Sequence, residues 1–176
     1  MCTVCGQSRS PFASETELDF FTTSHLERCG RPPTRLGFYA NVVADALKLP
    51  ACSSREEAYT LAEVLRLGMS RVLEMEREDL EVLVVGRSGV EEVDAVLYDP
   101  MPGGSGLLEQ ALHRWGEVVA EARAAAEDCP SACRASCVDC LQTFRNQLYH
   151  RYLDRTAALE RLDSWGRGLD KTHDLA

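Results

Sequence analysis

The sequence predicts an α+β fold, a small and mostly antiparallel sheet flanked by helices. Three observations predict it. Residues 79–85 and 93–98 are short apolar stretches joined by Gly86-Arg87-Ser88-Gly89, which reads as two strands returning on each other. Residues 54–75 and 107–122 carry apolar side chains at helical spacing. Seven of the eight cysteines fall in two groups, one at each end, so the chain has a feature besides its core to hold it. A length of 176 residues with 45% hydrophobic content suits one domain with one core.

Residues 1–35 hold two short cysteine groups and Pro32-Pro33 with little periodicity, and read as a loop-rich knob. Residues 36–49, with Phe38, Tyr39, Val42 and Val43, read as a strand ended by Pro50, although Ala40, Ala44 and Ala46 leave a helix open. Ser54-Arg55-Glu56-Glu57 fits a capping box, so a helix is expected to about residue 75, with Ala58, Leu61, Leu65 and Met69 on its apolar face and Glu63, Arg66 and Glu74 away from it. The strand at 79–85 is expected to be buried on both faces, since Leu80, Val82 and Val84 alternate with Leu83 and Val85. Pro100, Pro102, Gly103, Gly104 and Gly106 break the second strand, and one long helix is expected over 107–122. Two further helices are expected near 138–150 and 154–166, followed by a frayed tail over 167–176. The expected organisation is therefore a knob over 1–35, a main domain over 36–166 and the tail.

Charge narrows the functional classes. The net charge is −9, concentrated in residues 54–127, which carry 16 acidic and 7 basic groups. Strong duplex binding needs cations that neutralise phosphates, so any DNA contact is expected to be weak and local, or supplied by a partner. Only Lys48 and Lys171 among 19 basic residues are lysine, which fits a GC-rich coding preference. The longest apolar runs span a few residues, far below the ~20 of a membrane span. With no basic, apolar leader at Met1-Cys2-Thr3, the chain is expected in the cytoplasm, where cysteines favour metal over disulfide.

Cys129-x3-Cys133-x3-Cys137-x2-Cys140 places four thiols within twelve residues. Zn(II) prefers a tetrahedron of soft ligands, and four protein ligands leave no open position, which makes the expected site structural. Iron–sulfur, a redox switch and inert core thiols are the alternatives. Cys2-x2-Cys5-x19-His25-x3-Cys29 is a second set, of three cysteines and one histidine with knuckle-like spacings; the competing reading is a frayed Cys2 and a surface His25. Two zinc ions per chain are expected. A ligand one residue from the start suggests a chain divided from a longer protein. Cys52 is left over and reads as a small buried apolar residue.

Other motifs are less specific. Gly103, Gly104 and Ser105 lead into a helix whose free N–H groups could meet a phosphate, but turn geometry explains the glycines too. Asp99 reads as a turn or capping acid. Asn146, Gln147 and His150 could steady the four-cysteine site through hydrogen bonds, while Arg145, Arg151 and Arg155 could contact phosphate. Gly166-Arg167-Gly168-Leu169-Asp170-Lys171-Thr172 ends like a P-loop but has Asp170 where that motif needs glycine, so no ATP hydrolysis is expected.

Taken together, Leu97-Tyr98-Asp99-Pro100-Met101-Pro102-Gly103-Gly104-Ser105-Gly106, Ser136-Cys137-Val138-Asp139-Cys140-Leu141 and Asn146-Gln147-x2-His150-x2-Leu153-Asp154-Arg155 resemble the MrfA-type zinc-binding (MZB) domain of bacterial superfamily-two helicases. They are also similar to the DrmB protein of DISARM phage-defence systems. The resemblance spans about residues 36–165, and the knob is a looser match to the zinc segment of DrmB-like members. It implies four ligands at Cys129, Cys133, Cys137 and Cys140, and a non-catalytic accessory role beside a DNA helicase or translocase in repair or phage defence. Where relatives often carry an aromatic residue after the glycine loop, this chain has Leu107. The helicase motor is absent from this sequence, so the chain is expected either to work with a separately encoded motor or to be a remnant. The rival expectation is a free-standing, zinc-stabilised protein-interaction module. An enzymatic reading built on Asp99 and His150 lacks an open metal position.

Overall fold

A computed structural model describes residues 1–9, 13–34, 43–86 and 89–169. The chain divides into two compact units, Met1–Asn41 and Val42–Ala176.

The first unit is not the loop-rich knob expected. It contains a 15-residue helix, α1 (Glu15–Cys29). Ser14 accepts from the backbone N–H of Glu17 while the Glu17 carboxylate accepts from the Ser14 N–H, a reciprocal box that satisfies two free donors and holds the Glu17 carboxyl below its usual range. Gly30 closes the other end in the left-handed conformation. The helix has almost no apolar stripe, which is why hydrophobic periodicity misses it; of its side chains only Phe21 and His25 are buried.

The second unit is organised around α2 (Arg55–Leu73), which packs on the sheet, on a helix over Trp115–Glu127 and on the segments after the cysteine cluster. Ser54 caps it through the Glu57 N–H as expected, but the Glu57 carboxylate turns to Ser53, accepting from its N–H and hydroxyl at 2.7 Å. Glu63 and Arg66, expected away from the core, are buried. The reason is that α2 is covered on more than one side. Arg66 makes two bonds to the Glu63 carboxylate at 2.8 and 3.0 Å and a third to Leu80 O, and the Tyr149 hydroxyl donates to Glu63 at 2.7 Å. These bonds offset most of the cost of burying the pair, and Arg66 Nε is left without a partner among the described residues. Burial and the adjacent Glu63 carboxylate push the Tyr149 phenol far above its usual range.

The sheet has three antiparallel strands in the order β1 (Ala46–Lys48), β3 (Val93–Tyr98), β2 (Glu81–Gly86). β1 is much shorter than the strand expected over 36–49, and residues 35–42 lie outside the described residues. β3 is central, with Val93, Ala95 and Leu97 buried. β2, expected to be covered on both faces, is an outer strand among the described residues: Val82 and Val84 pack on the core, whereas Leu83 and Val85 are 49% and 45% exposed. After β3 the single long helix expected is two, α3 (Leu107–His113) and α4 (Trp115–Glu127). The break is at Arg114, whose guanidinium grips the Glu117 carboxylate and Val72 O. α4 meets α2 at Gly68, where an added Cβ would lie 2.6 Å from Val118 O.

Residues 128–146 are turns, not the start of a helix over 138–150. Asn146 and Thr143 exchange side-chain and backbone hydrogen bonds, and Asn146 Nδ2 holds Leu141 O, local bonds that displace a helical ladder. Short 3₁₀ turns, Gln147–Tyr152 and Arg155–Ala158, lead into α5 (Leu159–Leu169), so a helix enters the stretch expected to be tail. The P-loop-like lysine, Lys171, lies outside the described residues.

Candidate metal centres

Each cysteine group converges on one point. In each group the four ligand atoms lie within 4.8 Å of one another. In the second unit Cys129 Sγ is 3.5 Å from Cys137 Sγ, Cys133 Sγ is 3.7 Å from Cys140 Sγ, and Cys137 Sγ is 3.8 Å from Cys140 Sγ. A tetrahedron with Zn–S bonds of about 2.3 Å has S···S edges of about 3.8 Å, whereas a disulfide needs about 2.05 Å. The chemistry of the donors agrees. Backbone N–H groups of Cys133 and Ser131 draw the Cys129 thiol down to about 6, while burial and the neighbouring thiols push Cys133 up to about 12. Sulfurs this close resist joint ionisation, and a divalent cation removes that conflict.

The surrounding groups hold the backbone of the cluster. Arg77 donates to Cys140 O at 2.8 Å. Arg155 donates to Cys133 O through Nε and Nη2, and to Ala126 O and Glu127 O through Nη1, so it also closes the end of α4. The Cys137 N–H lies 3.2 Å from Cys140 Sγ. His150 Nε2 sits 2.7 Å from Asn146 Oδ1 and 3.0 Å from Thr143 O, so these two residues brace the loop that leaves the cluster; Gln147 is exposed. Arg77 was missed in the sequence because its helical turn gives no periodic signal and its target is a carbonyl 63 residues away.

In the first unit the Cys2-to-Gly6 turn is closed by Gly6 N–H on Cys2 O, and the Val4 N–H approaches Cys2 Sγ at 3.4 Å. His25 and Cys29 stand one turn apart on α1, which is what the HxxxC spacing needs. Cys2 Sγ is 3.8 Å from Cys29 Sγ, and Cys5 Sγ is 3.9 Å from His25 Nε2. His25 Nδ1 lies 3.3 Å from Gln7 Oε1, the outer partner that orients a ligating imidazole. Backbone N–H groups of Cys5 and Val4 lower the Cys2 thiol to about 6, and burial beside the other thiols raises Cys29 to about 11.

The remaining motif residues are placed elsewhere. The Asp99 carboxylate accepts from Met101 N–H and from the N–H and hydroxyl of Ser105, which holds it below the usual carboxylate range. The Gly104 N–H is bonded to Met101 O, and at φ +75° a Cβ on Gly104 would collide with the Asp45 carboxylate. Gly103 shares this turn, with φ +86°. Arg145 pairs with Glu81 at 3.3 Å, and Arg151 lies over the Tyr152 ring. Cys52 is fully buried in the core, and burial lifts its thiol to about 11.

A small α+β unit closed at one end by four convergent cysteines, following a separate helical unit with a Cys/His set, is a zinc-binding protein by its geometry. Residues 61–141 match the family model described as MrfA Zn-binding domain, MZB. The Druantia protein DruE of Escherichia coli (strain UMEA 4076-1) is 34% identical over 103 residues, a match covering 55% of this chain and 6% of that protein. Crystal structures of the DUF1998 helicase MrfA bound to DNA, and to DNA and AMPPNP, align at 22% identity with TM-scores of 0.48 and 0.45. They cover 64% and 68% of this chain and 14% and 15% of those chains. Among the described residues no helix is long and apolar enough to cross a membrane.

Proposed function

We propose that this chain is a non-catalytic zinc-binding accessory module that serves a superfamily-two DNA helicase or translocase. The observation that carries the reading is a coincidence of position: the family match ends at residue 141, just beyond Cys140, so it contains the whole four-cysteine cluster. Cys129, Cys133, Cys137 and Cys140 hold one zinc and Cys2, Cys5, His25 and Cys29 the other, both structural because each offers four protein ligands. Asn146 and His150 steady the first site through its exit loop. The likeness to a Druantia protein supports a setting in phage defence over DNA repair, in the cytoplasm; a DrmB-like kinship remains part of the same proposal.

DNA contact in this reading is weak and falls to Arg145 and Arg151. Arg155 is committed to three carbonyls, and Ser105 to Asp99. A specific feature favours the rival, a protein-interaction module without nucleic acid: Val138, Phe144 and Leu148, beside the cluster, are 74%, 85% and 74% exposed. Native mass spectrometry of the chain purified from its host tests the proposal. Two zinc ions with a helicase-sized companion whose DNA-dependent ATP hydrolysis changes when the chain is withdrawn are expected. A companion whose activity is indifferent to the chain refutes it.

A further inference from the structure

β2 is the one long strand of the sheet with a side left open among the described residues. β3 pairs with it along all six residues, Glu81↔Tyr98 to Gly86↔Val93, with no bulge in the register. The opposite side of β3 is covered by β1 and by the bonds Leu49 N–H to Ala95 O and Cys52 N–H to Val93 O. Outer strands in soluble proteins are commonly blunted by lysine, proline or a bulge. Glu81-Val82-Leu83-Val84-Val85-Gly86 has none of these, and it presents Leu83 and Val85, with Val90 55% exposed beyond them.

The strand is bracketed by acid. Between Glu76 and Asp94 stand seven carboxylates and two arginines. Glu76, Glu78, Asp79 and Glu81 lie at its start, and Glu91, Glu92 and Asp94 lie across the hairpin at its other end. Arg77 is turned inward onto Cys140 O, Arg145 meets Glu81 and Lys48 meets Asp94, so the balance stays negative. Two copies pairing antiparallel along β2 would set one acidic end against the other. A nucleic acid backbone would be repelled for the same reason.

We propose that β2 is a docking edge for an extended, lysine- or arginine-bearing segment of a partner protein, which adds as a fourth strand. Backbone hydrogen bonds supply the attachment, alternate apolar side chains of the segment cover Leu83 and Val85, and its cations meet the acidic ends. The edge uses none of the eight ligand residues, and the proposal goes beyond the accessory role stated above. Among the described residues no other strand pairs with this edge, and charge would select the partner that does.

The test uses the full zinc-loaded chain and fluorescent peptides of alternating lysine and valine, alternating glutamate and valine, and lysine and valine interrupted by proline. The lysine–valine peptide is expected to bind at least about tenfold more tightly than either other peptide, since glutamate reverses the charge and proline removes a donor at constant charge. Backbone amide shifts on binding are expected to concentrate in Glu81–Gly86. Leu83→Lys and Val85→Lys, both at exposed positions, should each weaken binding at least about tenfold while Val138→Lys leaves it unchanged. Equal binding of the lysine–valine and proline-interrupted peptides overturns the proposal, as do amide shifts centred elsewhere. A β2-dependent dimer of the chain, or the same amides moved by an oligothymidine, would also overturn it.

Discussion

Gly68→Ala is expected to destabilise the second unit, against the usual effect of that change in a helix. Replacing an interior helical glycine by alanine ordinarily gains about 1 kcal/mol. At Gly68 the new methyl would lie 2.6 Å from Val118 O, 2.9 Å from Ala122 N and 3.0 Å from Ala122 Cβ. Carbon contacts relax at about 3.5–4.0 Å, so α4 must withdraw from α2 by roughly 0.5–1 Å, which forfeits about a quarter to a half of the dispersion attraction across the contact. Two of the three atoms are backbone and cannot rotate away, which places the cost near the upper end of the ~1–3 kcal/mol for overpacking. Less the helical gain, the net loss is about 2 kcal/mol. Gly116→Ala is the control, because nothing lies within 4 Å of its added Cβ. Urea midpoints by far-UV circular dichroism, at saturating zinc, should fall for Gly68→Ala and hold or rise for Gly116→Ala. A Gly68→Ala protein as stable as the parent would show that the α2–α4 approach is not as close as described.

Cys137→Ser should bind one zinc by mass spectrometry instead of two and lose the cooperative unfolding of the second unit, whereas Cys5→Ser should lose one zinc and leave that unfolding intact. Glu63→Ala strands the Arg66 guanidinium in the core and should cost about 3–5 kcal/mol by chemical denaturation; the double change Glu63→Leu with Arg66→Met should cost much less. Asp99 gives a pH dependence. Its carboxyl is held low by Ser105, so its contribution is complete above the ordinary carboxylate range and disappears as pH falls through its folded value. The stability difference between the parent and Asp99→Asn should therefore be constant from pH 7 to 5 and shrink below about 4, and a difference that grows on acidification would contradict the turn described.

What could be read from the sequence follows the range of the interactions. α2 was legible because Ser54 and an apolar stripe are both local signals, and the β2–β3 hairpin because alternation and Gly86 to Gly89 adjoin. The convergence of Cys129, Cys133, Cys137 and Cys140 was legible for the same reason, since these four thiols lie within twelve residues of one another in the chain. α1 was hidden because it carries almost no apolar stripe and is marked instead by caps, Ser14 with Glu17 at one end and Gly30 at the other. The Ser14-Glu15-Thr16-Glu17 box was the available clue. Burial of Glu63 and Arg66 depended on Tyr149 and Leu80, which no local pattern announces. The turns over residues 128–146 replaced a helix because Thr143 and Asn146 offered the backbone competing bonds.

The guanidinium groups that fasten this fold bear on how its neighbours could be mapped. Arg66, Arg77, Arg114, Arg155 and Arg161 each donate to at least one main-chain carbonyl, often while also gripping a carboxylate or a second carbonyl. A primary ammonium lacks the rigid fork for such divided work, so the scarcity of lysine has a structural component beside any coding preference. Within these 176 residues, reagents that couple through side-chain amines would accordingly find only Lys48 and Lys171, and would pass over α2, α4 and the cysteine cluster. Proximity mapping on this protein calls for carboxylate-directed or photoactivated cross-linkers, to which its acidic surface offers many handles.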